Sequence, residues 1–230
     1  DSLRKISSGL EYFRKIPYLN PAQVGDHKVV WELNRHQHLV LLAEAYLLSE
    51  NPAFLSEIEA QLTDWLRENP FHRGINWTSA LEVGFRALSW LWVYHLVGNR
   101  LAEPLRLQFG QSLYRHGLHL EANLSYYFSP NTHLLGEAVA LHALGVLFDQ
   151  ADWRTTGGEV VDRQLTAQVL SDGAHFEQST YYHVYALDFF LFHSLIAGKQ
   201  QAYAQVLIRM GEYLEALLGP SRTLPFIGDD

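Results

Sequence analysis

The sequence contains no cysteine. That absence removes disulfides, thiolate nucleophiles and cysteine-type zinc sites together, and it leaves the compartment open, because cysteine-free chains suit cytoplasm and periplasm alike. Charge is sparse: 18% of the 230 residues are Asp, Glu, Lys or Arg, while 48% are hydrophobic. Such a composition excludes a disordered chain, and the length buries a sizeable core as one domain, or as one large domain with a tail. Long apolar runs are lacking too. The longest, such as residues 39–42 and 189–192, fall far short of the roughly 20 residues a bilayer-spanning helix needs, so no membrane span is expected. Positive charge is also short: 17 Lys and Arg against 25 Asp and Glu leave a net −8, the reverse of the basic footprint of a nucleic-acid binder. A cleft can still be locally basic on an acidic protein. The opening Asp1-Ser2-Leu3-Arg4 has neither Met nor a signal-peptide pattern. The sequence stops at Phe226-Ile227-Gly228-Asp229-Asp230 with no closing helix. Both ends read as cut, and a fragment or processed form is expected.

Strand signals are nearly absent, and helical periodicity is nearly everywhere. Leu39, Leu42, Ala43, Tyr46 and Leu47 fall at helical spacing and predict a buried stripe on a helix of about 31–49. Asn51-Pro52 breaks it, and a second helix carries Phe54, Ile58, Leu62, Trp65 and Leu66 as far as Asn69-Pro70. A third, about 78–97, ends near Gly98, a natural cap. Further helices are predicted at about 102–124, 130–148, 158–170, 178–197 and 200–218, with Gly or Pro between most of them. Long helices with short connections pack as antiparallel hairpins. In series these close into a bundle, a superhelix or an α/α toroid, and periodicity does not choose among the three. Residues 85–97 and 186–196 look apolar on more than one face, as an inner helical layer would.

Three stretches are odd for plain core helices. In residues 74–86 (GINWTSALEVGFR), Trp77 stands before a helix that carries Glu82 and Arg86 four apart. This suits sugar stacking beside polar groups, or equally an i,i+4 ion pair with Trp77 in the core. In residues 129–137 (SPNTHLLGE), Ser129 reads as an N-cap and Pro130 as the first helical residue. Asn131 and His133 then lie in the first turn, where free N–H groups and the positive helix end favour an anion. The plainer reading is that Asn131 only caps and His133 is a satisfied histidine. A zinc site through His133 and Glu137 at i,i+4 lacks an evident third ligand. Residues 172–183 (DGAHFEQSTYYH) make a polar, glycine-containing entry to an apolar helix, and Tyr182, Tyr185 and Phe189 share one of its faces, which core packing alone also explains.

These motifs occur in one order along the chain: residues 26–35 (DHKVVWELNR), 76–86 (NWTSALEVGFR), 129–137 and 172–183, then a terminal Phe-Ile-Gly-Asp-Asp. Together they resemble the heparinase II/III superfamily of polysaccharide lyases, across nearly the whole chain. The resemblance implies an all-α fold, an incomplete (α/α) toroid of antiparallel helix hairpins, covering residues 1–219. Residues 220–230 would then lead toward antiparallel β-sheet domains of the same protein. It implies cleavage of a uronic-acid-containing polysaccharide by β-elimination, and a periplasmic or secreted setting. By position, Tyr182 matches the family's general base and acid. Asn131 matches the residue that neutralises the uronate carboxylate, and His133 matches the histidine of that segment. Trp77, Glu82, Arg86, Glu137 and His183 are the expected substrate-binding neighbours. A further family histidine comes from the sheet region.

The residue types suit that chemistry. Elimination removes the C5 proton beside an ionised carboxylate and expels the oxygen on C4. A neutral amide or an imidazolium aimed at the carboxylate stabilises the enolate-like transition state more than the ground state. A tyrosine, with an ordinary pKa of about 10, must be lowered by nearby positive charge or hydrogen bonds to act as a base. His183, His133 and Arg86 are the candidates for that. No metal or organic cofactor is needed. Two other readings stay open. One is a glycoside hydrolase on an α/α toroid, using two of Glu82, Glu137, Glu177 and Asp229. The other is a helical scaffold that binds a glycan or a protein on its concave face.

Overall fold

A computed structural model of the chain describes residues 11–228, so the terminal Asp229 and the expected boundaries at residues 1 and 230 lie outside the described residues. The chain divides into two compact units, residues 1–123 and 124–230. Among the described residues every long element is a helix, and extended pairing is confined to two isolated bridges, Tyr12 with Arg73 and Val169 with His175.

In the first unit, α1 (Pro21–Val24), α2 (His27–Leu33), α3 (Gln37–Ser49), α4 (Pro52–Glu68), α5 (Ala80–Val97) and α6 (Glu103–Asn123) follow one another. The starts are written locally. Asn20, Asp26, Asn51 and Ser79 each accept a first-turn backbone N–H, and proline stands first in α1 and α4, where no amide hydrogen is needed. α3 packs on α4 and α5, α5 on α6, and α4 on α6. Leu39, Ile58, Leu62, Trp90 and Phe109 lie fully inside this core. At about 25 cal/mol per Å², each large side chain of this kind stabilises the unit by roughly 2–3 kcal/mol.

The expected single helix over 31–49 is two helices. Asn34 caps α2 by donating to the carbonyl of Val30, 2.8 Å, and its Oδ1 accepts from Trp65 Nε1, 2.8 Å, and from Asn76 Nδ2, 3.0 Å. His36 then takes a left-handed conformation, φ 58°, and accepts from Trp90 Nε1 at 2.9 Å. These long-range bonds outweigh local helical preference. The expected stripe on α3 narrows to Leu39 and Ala43, and Leu47 is exposed.

The second unit holds α7 (Thr132–Leu147), α8 (Ala151–Gln168), α9 (Thr180–Ile196) and α10 (Gln200–Leu218). α7 packs on α8 and α9, and α9 packs on α8 and α10. α7 is buried on every face from Leu134 to Gly145; in the stretches that look apolar on more than one face, α5 leaves Trp92 exposed and α9 leaves Leu191 and Leu195 exposed. α8 begins seven residues before its expected start at 158. Gly157-Gly158 does not break it. A Cβ on Gly157 would stand 2.6 Å from the carbonyl oxygen of Ala138, so glycine there is what lets α8 lie against α7.

Candidate active site

Asn131, not Ser129, caps α7: its Oδ1 accepts from the backbone N–H of His133 at 3.0 Å, and the helix starts at Thr132. The His133 ring turns back to the same oxygen, Nδ1 to Oδ1 3.1 Å. The other end of the amide is held as well. Asn131 Nδ2 donates to Glu177 Oε1 at 2.9 Å, while Glu177 Oε2 accepts from Thr132 Oγ1 at 2.7 Å and from Thr132 N at 3.2 Å. Of the N–H groups expected to attract an external anion at this helix end, that of Thr132 is already turned to the protein's own carboxylate and that of His133 to the Asn131 amide oxygen.

Glu177 lies two residues before Ser179, whose hydroxyl accepts from the backbone N–H of Tyr182 at 3.2 Å and caps α9. One carboxylate thus links the starts of α7 and α9. Tyr182 sits half-buried in the first turn of α9. The segment before it is fixed by a tight loop. Gly173 takes φ 91°, and a Cβ there would fall 2.2 Å from the carbonyl oxygen of Arg209. His175 bonds Gln168 at 2.9 Å. On the far side, Thr180 donates from N to the carbonyl of Ile227 and from Oγ1 to that of Pro225, and Tyr181 stacks on Phe226.

The remaining expected site residues are committed inside their own units. Glu137 is buried and accepts from both the N–H and the hydroxyl of Ser125, each at 2.7 Å, and burial pushes its pKa up to about 7. That engagement turns it from any ligand role with His133. His183 is buried and donates from Nε2 to the carbonyl of Met210, 3.0 Å, and burial lowers its pKa. It is a neutral imidazole near pH 7 and brings no charge to Tyr182, contrary to expectation.

In the first unit, Glu82 is paired with Arg35 by two bonds of 2.7 and 2.9 Å, not with Arg86 one turn along. Arg86 has no exposed surface. It donates to His116 Nε2 and to the carbonyl of Asn76, both at 2.9 Å, and lies over the rings of Trp65 and Trp77. Burial works against its charge, which Glu82 partly offsets. Trp77 is 1% exposed. Trp77 and Arg86 are core residues here rather than walls of an open cleft. Sequence reasoning named Glu177 only among the possible hydrolase carboxylates and connected neither it nor Thr132 with Asn131. The only local signal was an acidic residue two positions before a serine cap.

The Heparinase II/III N-terminus family model matches residues 11–230. The chain belongs to this family. A heparin-sulfate lyase of Bacteroides stercoris is 25% identical over 193 residues, 73% of this chain and 28% of the relative. A heparin-sulfate lyase of Pedobacter heparinus is 29% identical over 226 residues, 90% of this chain and 33% of the relative. The crystal structure of heparan sulfate lyase HepC from Pedobacter heparinus matches 94% of this chain and 36% of its own with 27% identity and a TM-score of 0.65. The chain therefore spans about a third of the length of these heparinase relatives. The likeness assigns its helix hairpins to the α/α toroid fold class of the heparinases, as the sequence motifs implied. Among the described residues no helix is long and apolar enough to cross a membrane.

Proposed function

We propose that the protein containing this chain is a polysaccharide lyase that cleaves uronate-containing glycosaminoglycan of the heparin-sulfate class by β-elimination. The substrate class comes from the relatives named heparin-sulfate lyase, and the family from the match over residues 11–230. The observation that carries the reaction is the Asn131 amide, oriented on both sides by His133 and Glu177 in the same turn that caps α7.

An amide has two N–H bonds, and Glu177 accepts one of them. The second is the group offered to the uronate carboxylate. It stays neutral, so it gains most as negative charge spreads from C5 onto the carboxylate in the transition state. Tyr182 is the base that takes the C5 proton, and the same phenol then donates it to the oxygen leaving C4. Its place in the first turn of α9 sets it at the positive end of that helix, where a phenolate is favoured. With His183 neutral and Arg86 in the first unit's core, His133 is the imidazole left to assist. An acidic polysaccharide and an antiparallel sheet region of the same protein, supplying a further histidine, complete the proposed assembly. The hydrolase reading has little to draw on: Glu82, Glu137 and Glu177 are each engaged by close donors.

The test is kinetic. In the intact protein, Tyr182→Phe removes one hydroxyl and is expected to lower kcat by at least about a hundredfold with the fold unchanged. Asn131→Ala is expected to lower kcat while KM changes little. Full turnover by the Tyr182→Phe protein would refute the assignment.

A further inference from the structure

We propose that Glu177 is a positioning residue: it sets the orientation of the Asn131 amide and, through it, the tautomer of His133. The inference rests on the reading of Asn131 as the carboxylate-neutralising group.

A carboxylate accepts hydrogen bonds and donates none. The Asn131 atom 2.9 Å from Glu177 Oε1 must therefore be the NH2 group, which turns the amide oxygen toward His133. That oxygen accepts the His133 backbone N–H at 3.0 Å, which agrees with the same orientation. An oxygen so placed cannot donate, so the ring nitrogen 3.1 Å away, His133 Nδ1, carries a proton. In the neutral imidazole the lone pair is then on Nε2. One carboxylate thus dictates which face of the amide meets the substrate and which ring nitrogen of His133 can accept a proton.

Glu177 does this firmly because its other oxygen is held by both donors of Thr132, in the first residue of α7. It also occupies the positive end of that helix, so an incoming uronate meets the single remaining amide hydrogen rather than a bare helix terminus. Because Glu177 precedes the Ser179 cap by two residues, the same contact fixes the start of the helix that carries Tyr182.

Glu177→Gln keeps the shape but replaces one acceptor with a donor. The Thr132 hydroxyl can rotate to accept, but the Thr132 backbone N–H only donates and keeps the remaining oxygen on its side, so the new NH2 faces Asn131 and the Asn131 amide turns over. Its NH2 then faces the His133 N–H groups and the Nδ1–H bond is lost.

The experiment uses the intact protein with 15N-labelled histidine, with His133 assigned by its loss in His133→Gln. The wild type is expected to show the Nδ1–H form, and Glu177→Gln a mixture with the Nε2–H form. In parallel, kcat on a uronate polysaccharide should fall about tenfold to a hundredfold, the scale of a small misplacement of a reacting group, with KM within about threefold. On a carboxyl-esterified polymer, whose charge needs no neutralising, the loss should shrink. Glu177→Asp, which keeps both acceptors on a shorter arm, should recover part of both readouts, and it serves where the Gln variant does not fold. An unchanged His133 tautomer in the variants overturns the proposal, as does a loss confined to KM. A changed tautomer in a protein whose wild type produces no unsaturated sugar supports the positioning role and sinks the lyase reading instead.

Discussion

Glu137 provides a stability test worked directly from the structure. Its carboxyl group is buried in α7 with its two oxygens on Ser125, and burial raises its pKa from the ordinary 4.5 to about 7. The folded state therefore holds this proton through a pH range in which the unfolded chain has released it. The stabilisation is fully present below about pH 4.5 and is lost as pH rises through about 7. At about 1.4 kcal/mol per unit, the shift amounts to roughly 3 kcal/mol.

Glu137→Gln removes the ionisation and keeps the shape, and the Ser125 hydroxyl can rotate to accept from the new amide. Urea unfolding at pH values from about 4.5 to about 7.5 is expected to give matched stabilities at the acid end. The variant should be more stable by roughly 3 kcal/mol at the alkaline end. Buried histidines oppose this trend in both proteins. His36 and His119 are lowered to about 3, and His175 and His193 to about 4, so they favour the fold as pH rises toward 6.5. The difference between the two proteins cancels them. Parallel stability curves, or a variant that is less stable at every pH, would refute the reasoning.

Two further expectations concern packing. Arg86→Lys keeps the charge but loses the flat guanidinium between Trp65 and Trp77 and its paired donors to His116 and Asn76. It should cost about 2–3 kcal/mol in chemical denaturation. Gly157→Ala in α8 should destabilise by more than about 1 kcal/mol despite alanine's helical preference, because the added carbon meets the Ala138 carbonyl oxygen at 2.6 Å. Gly110→Ala in α6, with nothing within 4 Å of the new carbon, should raise stability by up to about 1 kcal/mol. Melting temperatures of the pair check the contrast.

Most helix limits were legible because their signals are local. Asn51-Pro52 and the Ser79 cap act through neighbouring backbone groups, and the span 200–218 was read to the residue. The failures are long-range. The break at residues 34–36 is made by Trp65, Asn76 and Trp90, distant in sequence. Gly157-Gly158 reads identically as a helix break or as a close helix contact until α7 is in place. The site divides the same way. That Asn131 and His133 lie at a helix start followed from the local signals, but the cap is Asn131 itself rather than Ser129. The partner of Glu82 turned out to be Arg35, 47 residues away rather than four. Glu177 looked like one carboxylate among several until the fold brought α7 to it.

The central claim is elimination, and the product decides it most directly. The intact protein is incubated with a heparan-type polysaccharide and the near-ultraviolet absorbance followed. Elimination leaves a conjugated C4–C5 double bond at the new non-reducing end. Absorbance is expected to rise in step with chain scission and to stay flat with Tyr182→Phe. Scission with new reducing ends and no absorbance change would mean hydrolysis and would contradict the account.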